Sequence, residues 1–109
     1  MFDGSALEGL LYRIVLRCPP TLDDFCSYEA VGRPYDRRDY FRGLGVSMYT
    51  SRRRAIVVAR RFDLGRGVAS LELRAAAIAW TRTGGPAHVT VWAPPELLFR
   101  AVVQCDEHE

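Results

Sequence analysis

The sequence predicts one small α+β domain in which about five or six strands accompany one main helix, at about residues 51–62, and one short helix, at about residues 21–30. Three observations predict it. Apolar residues alternate with a two-residue period in several short runs, one run of helical period lies between residues 52 and 62, and Gly and Pro punctuate the rest. No linker, repeat or composition break divides the 109 residues, so residues 1–109 are read as one unit.

From Leu10 to Arg17, the residues Leu10, Tyr12, Ile14 and Leu16 alternate with Leu11, Arg13, Val15 and Arg17, which predicts a strand with Arg13 on its less apolar face. Pro19 and Pro20 end it. Thr21, followed three positions later by Asp24, resembles a capping box with Asp in place of Glu, and starts the short helix that carries Phe25 and Tyr28. The arginine- and tyrosine-rich segment from Gly32 to Arg42 reads as a loop or lid. After Gly43 and Gly45, Val46 to Tyr49 reads as a short strand, and Thr50 or Ser51 caps the main helix. In that helix Ala55, Val58, Ala59 and Phe62 recur at helical spacing, with Ile56 and Val57 widening the stripe that packs on a sheet.

Asp63 to Gly67 breaks the helix. Strands are expected at Val68 to Arg74, at about Ala76 to Thr81 and at Ala87 to Trp92, the last two joined through Gly84-Gly85-Pro86. Beyond Pro94 and Pro95, Leu97 to Gln104 reads as a closing strand that a helical turn can precede.

Hydrophobic residues at 49% and charged residues at 26% describe a globular chain, not a disordered one. No run approaches the roughly 18 apolar residues of a membrane span. The start Met1-Phe2-Asp3-Gly4 lacks the features of a signal peptide, so no membrane partner is expected and the cytoplasm is the expected compartment. Cys18, Cys26 and Cys105 form an odd set without a close pair, which predicts reduced core thiols in place of a disulfide framework or zinc ribbon. Cys105 and His108 have a spacing that suits a metal, but His108 lies in a polar tail, and no metal cofactor is expected.

All fifteen basic residues are arginine, with no lysine or asparagine, a composition expected of GC-rich coding such as a bacterial one. The net charge of +2 is too small for a strongly basic nucleic-acid binder. Its distribution is uneven. Between Asp39 and Asp63 there is no acidic side chain, while Arg42, Arg52, Arg53, Arg54, Arg60 and Arg61 all occur. Arg52 to Arg54 fall in the first helical turn, where each cation opposes the helix dipole at about 0.3–1 kcal/mol. Two readings follow: an anion site in which amides and guanidinium groups hold a phosphate or an acidic partner, or a solvated face whose arginines reach Asp36, Asp39 or Asp63.

The stretch Gly43-Leu44-Gly45-Val46-Ser47-Met48-Tyr49, followed by Thr50, Ser51 and a helix containing Ala55 and Ala59, resembles the G-x-G-[IV]-x-[FM] strand and following helix of the ADP-ribosyltransferase fold. Upstream, Leu11-Tyr12-Arg13 is similar to the first-strand motif of arginine-type members, which include small NAD-degrading bacterial toxins. Downstream, Glu96-Leu97-Leu98-Phe99 resembles the glutamate-bearing late strand of those enzymes. The blocks keep the family's order and span residues 10 to 104. The chain departs from the pattern at Ile14, where the family has a small residue, and at Pro94-Pro95, which gives Glu96 an ordinary role in a first helical turn. The resemblance implies a split sheet and an enzyme that takes NAD as substrate, cleaves its nicotinamide–ribose bond, and passes ADP-ribose to a protein, a nucleic acid, a small molecule or water.

That chemistry develops oxocarbenium character on the ribose. It needs a carboxylate beside the sugar, a cation for the pyrophosphate, a small hydroxyl and an aromatic wall. The resemblance implies Glu96 as the catalytic carboxylate, Arg13 as a pyrophosphate or ribose ligand, Ser47 as a ribose or amide contact and Tyr49 as the stacking wall; Arg52, from the arginine cluster that opens the helix, is a further expected cofactor contact. The residues alone allow another reading, in which Arg13 pairs with Glu72 or Glu96, Ser47 is filler and Tyr49 is core. His88 shares a strand face with Thr90 and Trp92, where it serves as an acid, a base, a stacking wall or a half-buried strand histidine. No Ser-His-Asp, metal-ligand or Walker arrangement is present in the sequence. The rival functions are a non-catalytic module that binds an acidic protein or nucleic acid through the arginine-rich helix, and an enzyme acting on a phosphorylated RNA or nucleotide.

Overall fold

A computed structural model describes residues 9–27, 44–73, 78–85 and 87–108. The loop or lid expected at 32–42 lies outside the described residues, as do Tyr28, Gly43 and the start of the strand expected from Ala76. In chain order the elements are β1 (Leu10–Val15), a 3-10 turn (Leu22–Phe25), β2 (Val46–Tyr49), α1 (Arg52–Phe62), β3 (Gly67–Glu72), β4 (Ala79–Arg82), β5 (His88–Trp92), α2 (Pro95–Arg100) and β6 (Val102–Glu107). The strands form one sheet in the order β4-β5-β2-β1-β3-β6, and every neighbouring pair is antiparallel. The domain is therefore α+β. Because β2 and β3 both run antiparallel to β1 and flank it, they are parallel to each other, and α1 joins them across the face of β1.

Burial follows the two-residue strand period on both faces. Leu11 and Val15 of β1, Met48 of β2, Leu71 of β3 and Val91 of β5 enter the larger core, which Phe25 and Leu98 close from the 3-10 turn and α2. Tyr12, Ile14, Tyr49 and Val68 lie on the opposite face beneath Ala55 of α1. Arg13 therefore shares a face with the larger core, and does not lie on a less apolar one. The alternation in β1 could not rank its faces, because a central strand is covered on both.

Ser51, one of the two candidate caps, accepts at Oγ from the Arg54 amide at 3.2 Å, and Asp63 ends α1 in the left-handed region at φ 52°. Ala55 and Ala59 are buried, but Phe62 is 61% exposed and Val57 is exposed, so the apolar stripe is shorter and narrower than expected. Spacing fixes a side chain's angle around a helix but not how far along the helix the sheet extends. The expected short helix is a four-residue 3-10 turn with its capping box formed, Thr21 N donating to Asp24 Oδ2 at 2.7 Å. Leu97 to Arg100 belong to α2 and not to a strand, since Pro95 starts a helical turn and Ala101 caps it before β6.

The cysteines are not all reduced. Cys18, just beyond β1, is disulfide-bonded to Cys105 of β6, with Cα atoms 5.7 Å apart, and Cys26 is the free thiol. The bond has to pass β3, and the residue of β3 in its way is Gly67. A Cβ there would stand 2.8 Å from Val15 Cγ2 and 2.9 Å from Cys18 Sγ, so the bridge depends on a missing side chain. A separation of 87 residues gave no local signal of the pairing. Among the described residues, no helix is long and apolar enough to cross a membrane.

Candidate functional site

β2 turns Val46 and Met48 into the larger core, which leaves Ser47 and Tyr49 on the face that also carries α1. Its register with β5 sets Ser47 opposite Thr90 and Tyr49 opposite His88. The Tyr49 and His88 rings meet edge to face, centroids 5.0 Å apart at 71°. Gly45 at the entry to β2 has a packing reason: a Cβ there would collide with Thr90 Cγ2 and stand 3.1 Å from the Trp92 indole. The glycine thus lets β2 lie against the Thr90 and Trp92 side chains. α1 packs mainly on β1, β2 and β3, which places this Ser47, Tyr49, His88 and Thr90 group beside the helix.

The β4–β5 turn completes the group. His88 Nδ1 lies 2.8 Å from the Thr83 carbonyl oxygen and 2.8 Å from Thr83 Oγ1, which in turn is 2.7 Å from Thr90 Oγ1. A carbonyl only accepts, so the contact with the Thr83 main chain is a hydrogen bond when Nδ1 carries the proton, whereas the Thr83 hydroxyl can serve Nδ1 as donor or acceptor. Ala87, at φ 61° in the turn, accepts at its carbonyl from the Thr50 amide at 2.8 Å and ties the turn to the end of β2. Sequence reasoning singled out His88 but missed Thr83. The available signal was the Gly84-Gly85 turn, whose tight reversal brings the residue before it opposite His88.

Arg13 occupies a different place. β1 and β2 are in register only at Tyr12 and Tyr49. Beyond that pair Arg13 donates from Nη1 to the Ser47 carbonyl at 2.9 Å and from Nε to the Asp24 carbonyl at 2.8 Å. Its guanidinium therefore bridges β2 and the 3-10 turn from the larger-core side. Glu96 is exposed in the first turn of α2, which packs on that 3-10 turn with Phe25 and Phe99 rings 6.0 Å apart. Arg13 and Glu96 share the surroundings of Cys26. Burial pushes the Cys26 thiol up from its usual 9.0, the Asp23 and Glu96 carboxylates push it further, and the Arg13 charge opposes them.

The five expected site residues are thus divided. Ser47 and Tyr49 come together with His88 and Thr90. Arg13 meets Ser47 through the main chain only, from the other face, with Glu96 on its side. Arg52 reaches toward β6, its Nη2 at 4.0 Å from Asp106 Oδ2, with β1 and β3 between that strand and β2. Among the described residues no set of three His, Cys, Asp or Glu side chains could hold a metal ion. Cys105 is consumed by the disulfide, and His108 Nε2 lies 2.9 Å from the Gly65 carbonyl oxygen. No protein-family model, curated protein or solved structure matches the chain.

Proposed function

We propose that the protein is an ADP-ribosyltransferase-like enzyme that binds NAD and cleaves its nicotinamide–ribose bond, passing ADP-ribose to a macromolecule, a small molecule or water. The observation that carries the reading is the pairing of Ser47 and Tyr49 with His88 and Thr90 on one face of the β2–β5 ladder. Small hydroxyls and aromatic edges suit a ribose and a nicotinamide ring. In this reading Ser47 contacts the ribose or the amide and Tyr49 supplies an aromatic wall, Arg13 orders β2 from the larger-core side, and Glu96, which lies on that same side and apart from Ser47, is assigned the developing cation by the sequence resemblance alone. The order of the three sequence blocks supports it as well. Nicotinamide release from NAD, compared between wild type and Glu96→Gln, tests it: release that falls with the substitution supports the enzyme, and no release or equal release removes Glu96-dependent catalysis.

A second reading is favoured by one feature of α1. Arg53, Arg54, Arg60 and Arg61 are all exposed and, with Arg52, give this helix five cations and no acidic residue. Such a face suits a non-catalytic module that holds an acidic protein or nucleic acid. Binding that weakens steeply with salt, with no thermal shift on adding NAD, selects that reading. Including nucleotides and 5′- or 3′-phosphorylated RNA in the same melting series covers an enzyme acting on a phosphate end.

A further inference from the structure

Ala55 and Ala59 of α1 turn to the sheet, and Val57, 46% exposed, lies at the centre of the opposite side. Its neighbours on the helix surface, three and four residues away in either direction, are Arg53, Arg54, Arg60 and Arg61, all exposed. Among the described residues none of these four forms an ion pair; within α1 only Arg52 reaches a carboxylate, that of Asp106. The apolar surface continues past the helix end. Phe62 and Leu64, the latter 48% exposed, flank Asp63, and the Arg61 guanidinium lies 5.4 Å from the centre of the Phe62 ring. Leu16, 61% exposed, is brought against the same turn from the end of β1: its carbonyl accepts from the Arg66 amide at 3.0 Å, and its Cα would stand 3.3 Å from a Cβ at Gly65. Arg17 and Arg66 are exposed beside it. Two carboxylates belong to this end of the domain, Asp63 and Glu107, and Glu107 accepts from the Cys18 amide at 3.1 Å.

Val57, Phe62, Leu64 and Leu16 thus stand in water on one surface among the guanidinium groups of Arg17, Arg53, Arg54, Arg60, Arg61 and Arg66. Apolar groups rimmed by charge mark a docking surface, and its occupant has to satisfy both chemistries. A nucleic-acid backbone offers phosphates to the arginines but leaves the four apolar side chains wet. A protein interface gathers its apolar groups in a dry centre from which charges are depleted, whereas here the charges surround Val57 itself. An anionic bilayer surface matches the interleaved pattern: headgroup phosphates accept forked hydrogen bonds from arginine, and the acyl boundary lies just beneath them. Arginine stems are long enough to keep their heads at the phosphates while shorter apolar neighbours sink below. We infer that the outer face of α1, with the turn that follows it and Leu16, docks on an anionic phospholipid surface. The arginines bind the headgroups, and Phe62, Leu64 and Leu16 enter the headgroup–acyl boundary. Docking of this kind needs no membrane-spanning run, whose lack led the sequence to predict no membrane partner. It is independent of the NAD reading, and it gives the arginine face a lipid partner in place of an acidic protein or nucleic acid.

The test is co-sedimentation of the full chain with phosphatidylcholine vesicles and with vesicles of mixed phosphatidylcholine and phosphatidylserine. Wild type is expected to sediment with the mixed vesicles only, and to be released as salt is raised. Arg60→Gln with Arg61→Gln is expected to weaken partitioning by roughly fivefold per arginine, about 25-fold together. Phe62→Ser with Leu64→Ser is expected to weaken it by about tenfold or more while keeping the salt dependence. Both pairs are exposed, so the melting temperature should stay near that of wild type; where a double variant does not keep it, Arg60→Gln and Leu64→Ser singly decide. Equal binding to the two vesicle types, binding to neither, or variants that partition as wild type does overturns the inference. A mixed-sequence RNA oligonucleotide at the same ionic strength supplies the remaining arm. RNA bound more tightly than the mixed vesicles, and undiminished by Phe62→Ser with Leu64→Ser, overturns it in favour of a nucleic-acid partner.

Discussion

Arg13 Nη1 donates to the main-chain carbonyl of Ser47 at 2.9 Å, so a side chain from β1 satisfies a carbonyl of β2 beyond the one position where the two strands are in register. The same guanidinium holds the 3-10 turn through Asp24. Arg13→Ala is expected to lower stability by about 2–4 kcal/mol, since two carbonyls lose a charged donor. Arg13→Lys keeps the charge but not the fork, and should recover less than half of that loss. Urea unfolding of the three proteins measures this, and an alanine variant as stable as wild type would show that the bridge is dispensable.

Gly45 makes a second claim on stability. Adding a methyl group there drives it into Thr90 Cγ2, and Gly45→Ala is expected to cost about 1–3 kcal/mol. Thr90→Ser removes the colliding carbon while keeping the hydroxyl that meets Thr83. The double variant should therefore lose less than the two single losses combined, and strict additivity in the cycle would refute the contact.

The Cys18–Cys105 bond closes a loop of 87 residues in sequence separation. In the chain-entropy model, constraint of the unfolded chain on that scale corresponds to about 4–5 kcal/mol. Cys105→Ser, Cys18→Ser and reduction of wild type should each lower the melting temperature by a similar amount, and the double variant should lose nothing further. An unchanged melting temperature after full reduction, checked by mass, would contradict a structural role for the bond.

Cys26 provides a pH signature. Its thiol is raised above 9.0, first by burial and then by Asp23 and Glu96, so the folded chain holds this proton more tightly than the unfolded chain does. The stabilisation that results is fully present below the unfolded value and is lost as pH climbs through the folded one. Alkylation by iodoacetamide should accordingly rise with a midpoint above 9, and Cys26→Ser should flatten the alkaline limb of the stability profile. A midpoint below 9 would reverse the assignment.

Short strands were legible where turn residues bound an apolar run, as at Val46–Tyr49 and His88–Trp92, although the alternation did not rank the two faces of β1. Ser51 and the Thr21–Asp24 box were legible because caps act within four residues. Contacts across distant segments were not. Nothing near Cys18 in sequence indicates Cys105, and nothing near Arg13 indicates that its partners are the carbonyls of Asp24 and Ser47, since main-chain acceptors carry no residue signature. The candidate site was half legible for the same reason. His88 emerges from its strand pattern and Ser47 and Tyr49 from the resemblance, whereas the separation of Glu96 from Ser47 depends on which side of the sheet α2 covers.

β1 and β2 share one registered pair, while β1 and β3 are matched along all six residues of β1. The sheet is thus two three-stranded ladders, β4-β5-β2 and β1-β3-β6, with the disulfide confined to the second and the His88 turn to the first. Amide protons should exchange as two cooperative units with the boundary running between Tyr12 and Tyr49. The ladder that holds His88 would open at lower free energy than its neighbour, which places the candidate site on the more mobile side of that boundary.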